Sequence, residues 1–106
     1  GRVRRSWIGI AAQDMELPRR LSRFHGLERS AAVLVVEVES GGPAGRAGLR
    51  PRDIIVALDD HPVAAVDDLH RLLTEDLLGR SSRLTVLRHA ERVDLDIVPA
   101  ESPARP

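Results

Sequence analysis

Apolar and polar residues follow two different rhythms along this chain, and the switches between them mark its elements. Residues 7–13 form a short apolar run interrupted by Gly9 and predict a strand. Leu17, Leu21 and Phe24 then recur at i, i+4 and i+7. With Asp14 as a cap, Pro18 in the first turn and Gly26 as the stop, they predict a short helix. Ala31–Val38 is nearly unbroken and rich in β-branched side chains, the pattern of a central strand covered on both faces. Gly41, Gly42 and Pro43 interrupt it, and Pro43–Ala47 leaves room for a single helical turn before Gly48. Residues 53–58 predict a second buried strand, followed by a turn at Asp59-Asp60-His61-Pro62.

The longest helical stripe runs over residues 66–78, where Val66, Leu69, Leu73 and Leu77 share a face, Leu72 widens it and Gly79 supplies the stop. Asp67 and Asp68 fall in its first turn, where negative charge complements the helix dipole. Residues 83–88 and 92–98 predict a closing hairpin. Its second strand alternates Val93, Leu95 and Ile97 against Arg92, Asp94 and Asp96. The fold class is therefore α+β, with about five mostly antiparallel strands, one long helix and one short one. Residues 1–6 are polar and basic and predict a linker, residues 7–98 one domain, and the proline-rich residues 99–106 a frayed tail.

Composition narrows the function classes. A hydrophobic share of 42 % suits one globular core, and with Trp7 and Phe24 as the only aromatics that core must be aliphatic. Sixteen acidic residues cancel sixteen arginines, so no long-range field gathers nucleic acid or anionic lipid, and we expect neither nucleic-acid binding nor direct membrane insertion. No run approaches the ~18 apolar residues of a membrane span. The chain lacks cysteine, which excludes disulfides and thiolate chemistry. Asp59-Asp60-His61 lacks the further ligands a metal site needs, and no cofactor is expected. None of the serines lies in a nucleophile-elbow or Gly-x-Ser-Gly-Gly context, so no catalytic residue is assigned. The chain begins at Gly1 without a methionine, and we read it as a piece of a larger protein.

Three features carry the functional reading when taken in order. They are Trp7-Ile8-Gly9-Ile10, the stretch GGPAGRAGLRPRDIIVALDDHPV over residues 41–63, and the striped helix from Val66. Together with the closing hairpin they resemble a PDZ domain in the permuted strand order of bacterial proteins, a partly open β-barrel or sandwich. More narrowly they resemble the PDZ domains that follow the protease domain in the HtrA/Deg family of trypsin-like serine proteases. There a basic linker, matched here by Arg4 and Arg5, runs into a bulky-x-Gly-x loop. Two departures stand out. Arg52 occupies the place of the family's usual glycine, and Gly42 replaces the usual capping serine before Pro43. If the turn at Arg52 needs a positive φ, the cost is roughly 1 kcal/mol.

The resemblance implies a site for a peptide's free C-terminus. Dehydrating a carboxylate requires several replacement donors, which backbone amides in a tight turn can supply together. The loop Trp7, Ile8, Gly9 and Ile10 would provide them, with Arg4 or Arg5 adding charge. The peptide would extend along Ala11, Ala12 and Gln13 as an added strand, the mode for which PDZ domains are a standard example. Val66, His70 and Leu73 would face the groove, and Ile8, Ile10 and Leu73 would line a slot for an apolar last side chain. Val66 stands where a histidine accompanies preference for Ser or Thr two residues before the ligand's end, so an apolar residue is expected there. The partners implied are apolar C-terminal peptides and an upstream protease domain in cis, in a periplasmic or extracytoplasmic quality-control protease, one arrangement being membrane-tethered. The alternative is a docking or size-filter module of an intramembrane metalloprotease or secretion scaffold. A third reading has the groove filled by the chain's own tail.

Overall fold

The computed structural model describes residues 6–27 and 30–101. In chain order the elements are β1 (Ser6–Trp7), β2 (Ile10–Glu16), α1 (Arg19–Phe24), β3 (Ala31–Val38) and α2 (Pro43–Ala47). They continue with β4 (Ile54–Leu58), β5 (His61–Pro62), α3 (Val66–Leu72), β6 (Ser82–Arg88), β7 (Glu91–Ile97) and β8 (Ala100–Glu101). The main sheet has the order β2-β3-β4-β6-β7, with β5 attached to β4, and every pairing is antiparallel. β2 ends that path, so one side of it is open. A separate two-stranded ribbon joins β1 to β8, with Ser6 opposite Glu101 and Trp7 opposite Ala100.

The continuous apolar runs of β3 and β4 are explained by two unequal apolar clusters, one on each face of the sheet. The larger contains Ile8, Val33, Val35, Ile55, Leu58, Leu69, Leu73, Leu84 and Val86, and α3 lies over it. The smaller contains Leu17, Ala32, Val56 and Leu87, with Leu21 and Leu27 of the α1 segment packed against it. A side-chain period of two sends alternate residues of one strand to opposite faces, so both clusters draw on the same strands.

Several elements differ from expectation. Asp14 lies within β2 and caps nothing in α1, which starts after Pro18 without a side-chain cap. Phe24 does not join Leu17 and Leu21 in the interior: it is 80 % exposed and meets His25 edge-on. The long helix is shorter than its stripe, because α3 closes at Leu73 and Thr74 opens a separate 3-10 turn, Glu75–Leu77. Thr74, Glu75 and Asp76 favour starting a new turn over continuing the old one. Pro99 is buried and Ala100–Glu101 form β8, so residues 99–101 belong to the folded domain and not to a frayed tail.

Among the described residues, three left-handed features involve residues other than glycine: Arg52, the pair Asp59 and Asp60, and the pair His89 and Ala90. Arg52 has φ +79°, which meets the condition for strain set by the sequence. His89 and Ala90, at φ +51° and +66°, make the two-residue turn between β6 and β7. His25 braces that turn, with its Nε2 3.0 Å from the Ala90 carbonyl oxygen. Beside Arg52, Asp53 is 2 % exposed and ties three segments together. Its carboxylate accepts from the Arg50 amide at 2.9 Å and from Arg88 Nε and Nη2 at 2.9 and 2.7 Å. Arg88 Nη2 also donates to the Gly48 carbonyl at 2.9 Å. The hydrogen bonds to Asp53 raise the Arg88 pKa further above its already high ordinary value.

Candidate functional site

Gly9 is the pivot of the loop between β1 and β2. Its φ of +80° is open to glycine at no steric cost, and a Cβ there would come within 3.2 Å of the Trp7 ring. The carbonyls on either side of it are used inside the fold. Ile8 C=O accepts from the Ala44 amide at 2.9 Å, and Gly9 C=O accepts from the Glu39 amide at 2.8 Å. In a trans peptide unit the N–H points opposite to the C=O. The amides of Gly9 and Ile10 are therefore directed away from α2 and β3, toward the open side of β2. The Glu39–Gly9 bond also makes Ile10 and Val38 a non-hydrogen-bonded pair, so the backbone of Ile10 presents its own polar groups to that open edge.

Close backbone approach holds the loop in place. A Cβ at Gly45 in α2 would lie 3.0 Å from the Glu39 carbonyl oxygen, so any larger residue would push the backbones apart where α2 crosses the end of β3. The chain there can thus deliver the Ala44 amide to Ile8.

β2 turns Ile10, Ala12 and Asp14 to one face. Ile10 and Ala12 pack against the larger cluster, whereas Ala11 and Gln13 are exposed. Val66 also packs against that cluster, and Ile8 and Leu73 belong to it. The structure thus gathers Ile8, Ile10, Val66 and Leu73 around one seam between β2 and α3. Ile8 is 4 % exposed and Leu73 6 %, so the seam is shut and a ligand side chain would have to part it. His70 is exposed on the next helical position. Trp7 lies in β1, its ring under Gly9, and supports the loop. Arg4 and Arg5 lie outside the described residues. A broad surface hollow lies away from the seam, beside Trp7, Pro43, Arg46, Leu78 and Val98.

Carboxylates surround the start of α3. Asp68 Oδ2 accepts from the Ala64 amide at 2.9 Å and Oδ1 pairs with Arg71. The Ala64 bond, with Arg71 assisting, lowers the Asp68 pKa below its ordinary value. Asp14 reaches across from β2, its Oδ1 accepting from the Val66 amide at 2.7 Å. Sequence spacing could not have shown this contact, which joins residues 52 positions apart. Among the described residues no group of three or more His, Asp or Glu is placed to hold a metal ion, and no helix is long and apolar enough to cross a membrane.

Residues 6–98 match the family model described as PDZ domain. The chain belongs to the PDZ domain family. Among the relatives of this PDZ domain is a probable periplasmic serine endoprotease DegP-like of Pseudomonas putida (strain W619), 31 % identical over 97 residues, which cover 92 % of the chain and 20 % of that protein. The protein of the same name in Pseudomonas fulva (strain 12-X) is 34 % identical over 104 residues, covering 98 % and 21 %. The PDZ domain thus spans about a fifth of the length of these curated relatives. It is also similar in structure to the HtrA-type protease AlgW with a decapeptide, at TM-score 0.74 and 26 % identity over 96 % of the chain and 31 % of that protein. AlgW with a tripeptide gives TM-score 0.76 and 28 % identity, covering 99 % and 34 %.

Proposed function

We propose that this PDZ domain captures apolar C-termini by strand addition along β2, as the substrate-binding or regulatory part of an HtrA/Deg-like serine protease in the periplasm. The observation that carries this reading is the orientation of the loop at Gly9. Both flanking carbonyls are bonded into the fold, so the Gly9 and Ile10 amides face the edge where a chain end would arrive. Trp7 and Ile8 complete that loop. Ala11, Ala12 and Gln13 supply the backbone edge, and Val66 and Leu73 form the opposing wall with His70 on its rim. Burying an apolar last side chain between Ile8, Ile10 and Leu73 contributes roughly 1.5–3 kcal/mol, consistent with affinities in about the micromolar range. The likeness to AlgW, solved with a tripeptide and a decapeptide, supports peptide capture. The DegP-like relatives support the protease context and the compartment.

The test is chemical. A peptide that binds with a free carboxylate is compared by calorimetry with its C-terminally amidated form. Amidation should weaken binding by more than about tenfold, because it removes a charge that several amides solvate. Equal affinity for the two forms would refute the assignment of the loop.

A further inference from the structure

The seam between β2 and α3 has two ends of different construction. One carries the amides of Gly9 and Ile10, and the other is bridged by Asp14. An aspartate side chain is short, so its 2.7 Å bond to the Val66 amide draws the start of α3 to within about one strand spacing of β2. An added strand beside β2 needs that same space.

The lengths fix where the conflict falls. From Ile10 to Asp14 the edge runs roughly 13 Å at strand rise, and from Leu73 back to Val66 the helix covers roughly 10 Å. A peptide whose last residue lies beside Ile10 runs antiparallel to β2 and brings its fifth residue from the end to Asp14. A tripeptide reaches only to about Ala12.

We propose that Asp14 is a specificity-determining residue of the groove, a latch that short ligands leave closed and longer ligands must break. This rests on the peptide-capture reading and adds a rule of length and charge to it. The released carboxylate faces the fifth ligand residue, so Lys or Arg there restores a partner for it, and Glu meets like charge. Asp14 is exposed and belongs to neither apolar cluster, so its substitution leaves the slot for the last side chain intact.

The experiment uses the 106-residue chain with three N-acetylated probes ending in Val-Leu-Val, the tripeptide itself and two decapeptides, one with Lys and one with Glu fifth from the end. With the decapeptide carrying Glu, Asp14→Ala should bind roughly three- to tenfold more tightly than the unaltered chain, while tripeptide affinity stays unchanged. Exchanging Lys for Glu should weaken binding to the unaltered chain and leave Asp14→Ala indifferent. The Val66 amide resonance of the unaltered chain should move with the decapeptides and stay in place with the tripeptide, which gives a reading independent of any variant's folding. An equal response of the Val66 amide or of affinity at both lengths overturns the latch and leaves peptide capture standing. Absence of binding by every probe overturns both.

Discussion

Asp53 and Asp14 each tie two distant parts of this domain together, and their surroundings give the two bonds different meanings. Asp53 is buried and answers two nitrogens of one arginine and a backbone amide, joining the turn before β4 to the end of β6. Asp14 is exposed and answers one amide, joining the open edge of the sheet to the start of α3. A buried charge stripped of its partner has no water to replace it, whereas an exposed one has water at hand. The first bond is therefore the costlier of the two to break.

The largest effect expected is at the buried pair. Asp53→Ala strands the Arg88 guanidinium against Gly48 and should cost about 3–5 kcal/mol in urea unfolding. A loss below ~1 kcal/mol would erase the contrast with Asp14. Next is Leu73, which belongs to the core as well as to the wall of the seam. Leu73→Ala should cost about 2–5 kcal/mol and weaken peptide binding too. A charge at this buried position would damage the fold along with the slot, so alanine is the cleaner probe.

A smaller gain is expected beside Asp53. Arg52→Gly relieves the left-handed backbone at φ +79° and should stabilise by up to about 1 kcal/mol, read as a rise in Tm. No rise would mean that the freedom glycine brings to the unfolded chain offsets the relief. The smallest effect belongs to Asp68, whose pKa is lowered from 3.8 in the fold. Its contribution is present above that ordinary value and fades as pH falls through the lower folded value. Asp68→Asn should accordingly lower stability slightly at neutrality and flatten the acid limb of the stability profile below about pH 4, where the two proteins converge.

Much of the architecture was legible because local chemistry agreed with the global fold. The β3 run, the glycine and proline punctuation over residues 41–48 and the alternation of β7 each had one sensible reading. The positive φ at Arg52 was signalled by the resemblance, which puts the family's usual glycine at that place. The break in the helix was harder to see. Leu77 keeps the helical period past Thr74, so the apolar stripe continues where the hydrogen bonding does not. For the candidate site, Ile8, Ile10, Val66 and Leu73 were nameable from the sequence and the structure brings them together, but the closure of the seam was not foreseeable. The bonds of Asp14 to Val66, His25 to Ala90 and Asp53 to Arg88 join residues 52, 65 and 35 positions apart, distances over which side-chain pattern carries no signal.

The pairing of Ser6 with Glu101 gives the domain a single doorway. Chain entering at β1 and chain departing at β8 pass through the same spot on the surface. A force applied at either strand of this ribbon would thus enter the domain at one place, outside the strand path of the main sheet.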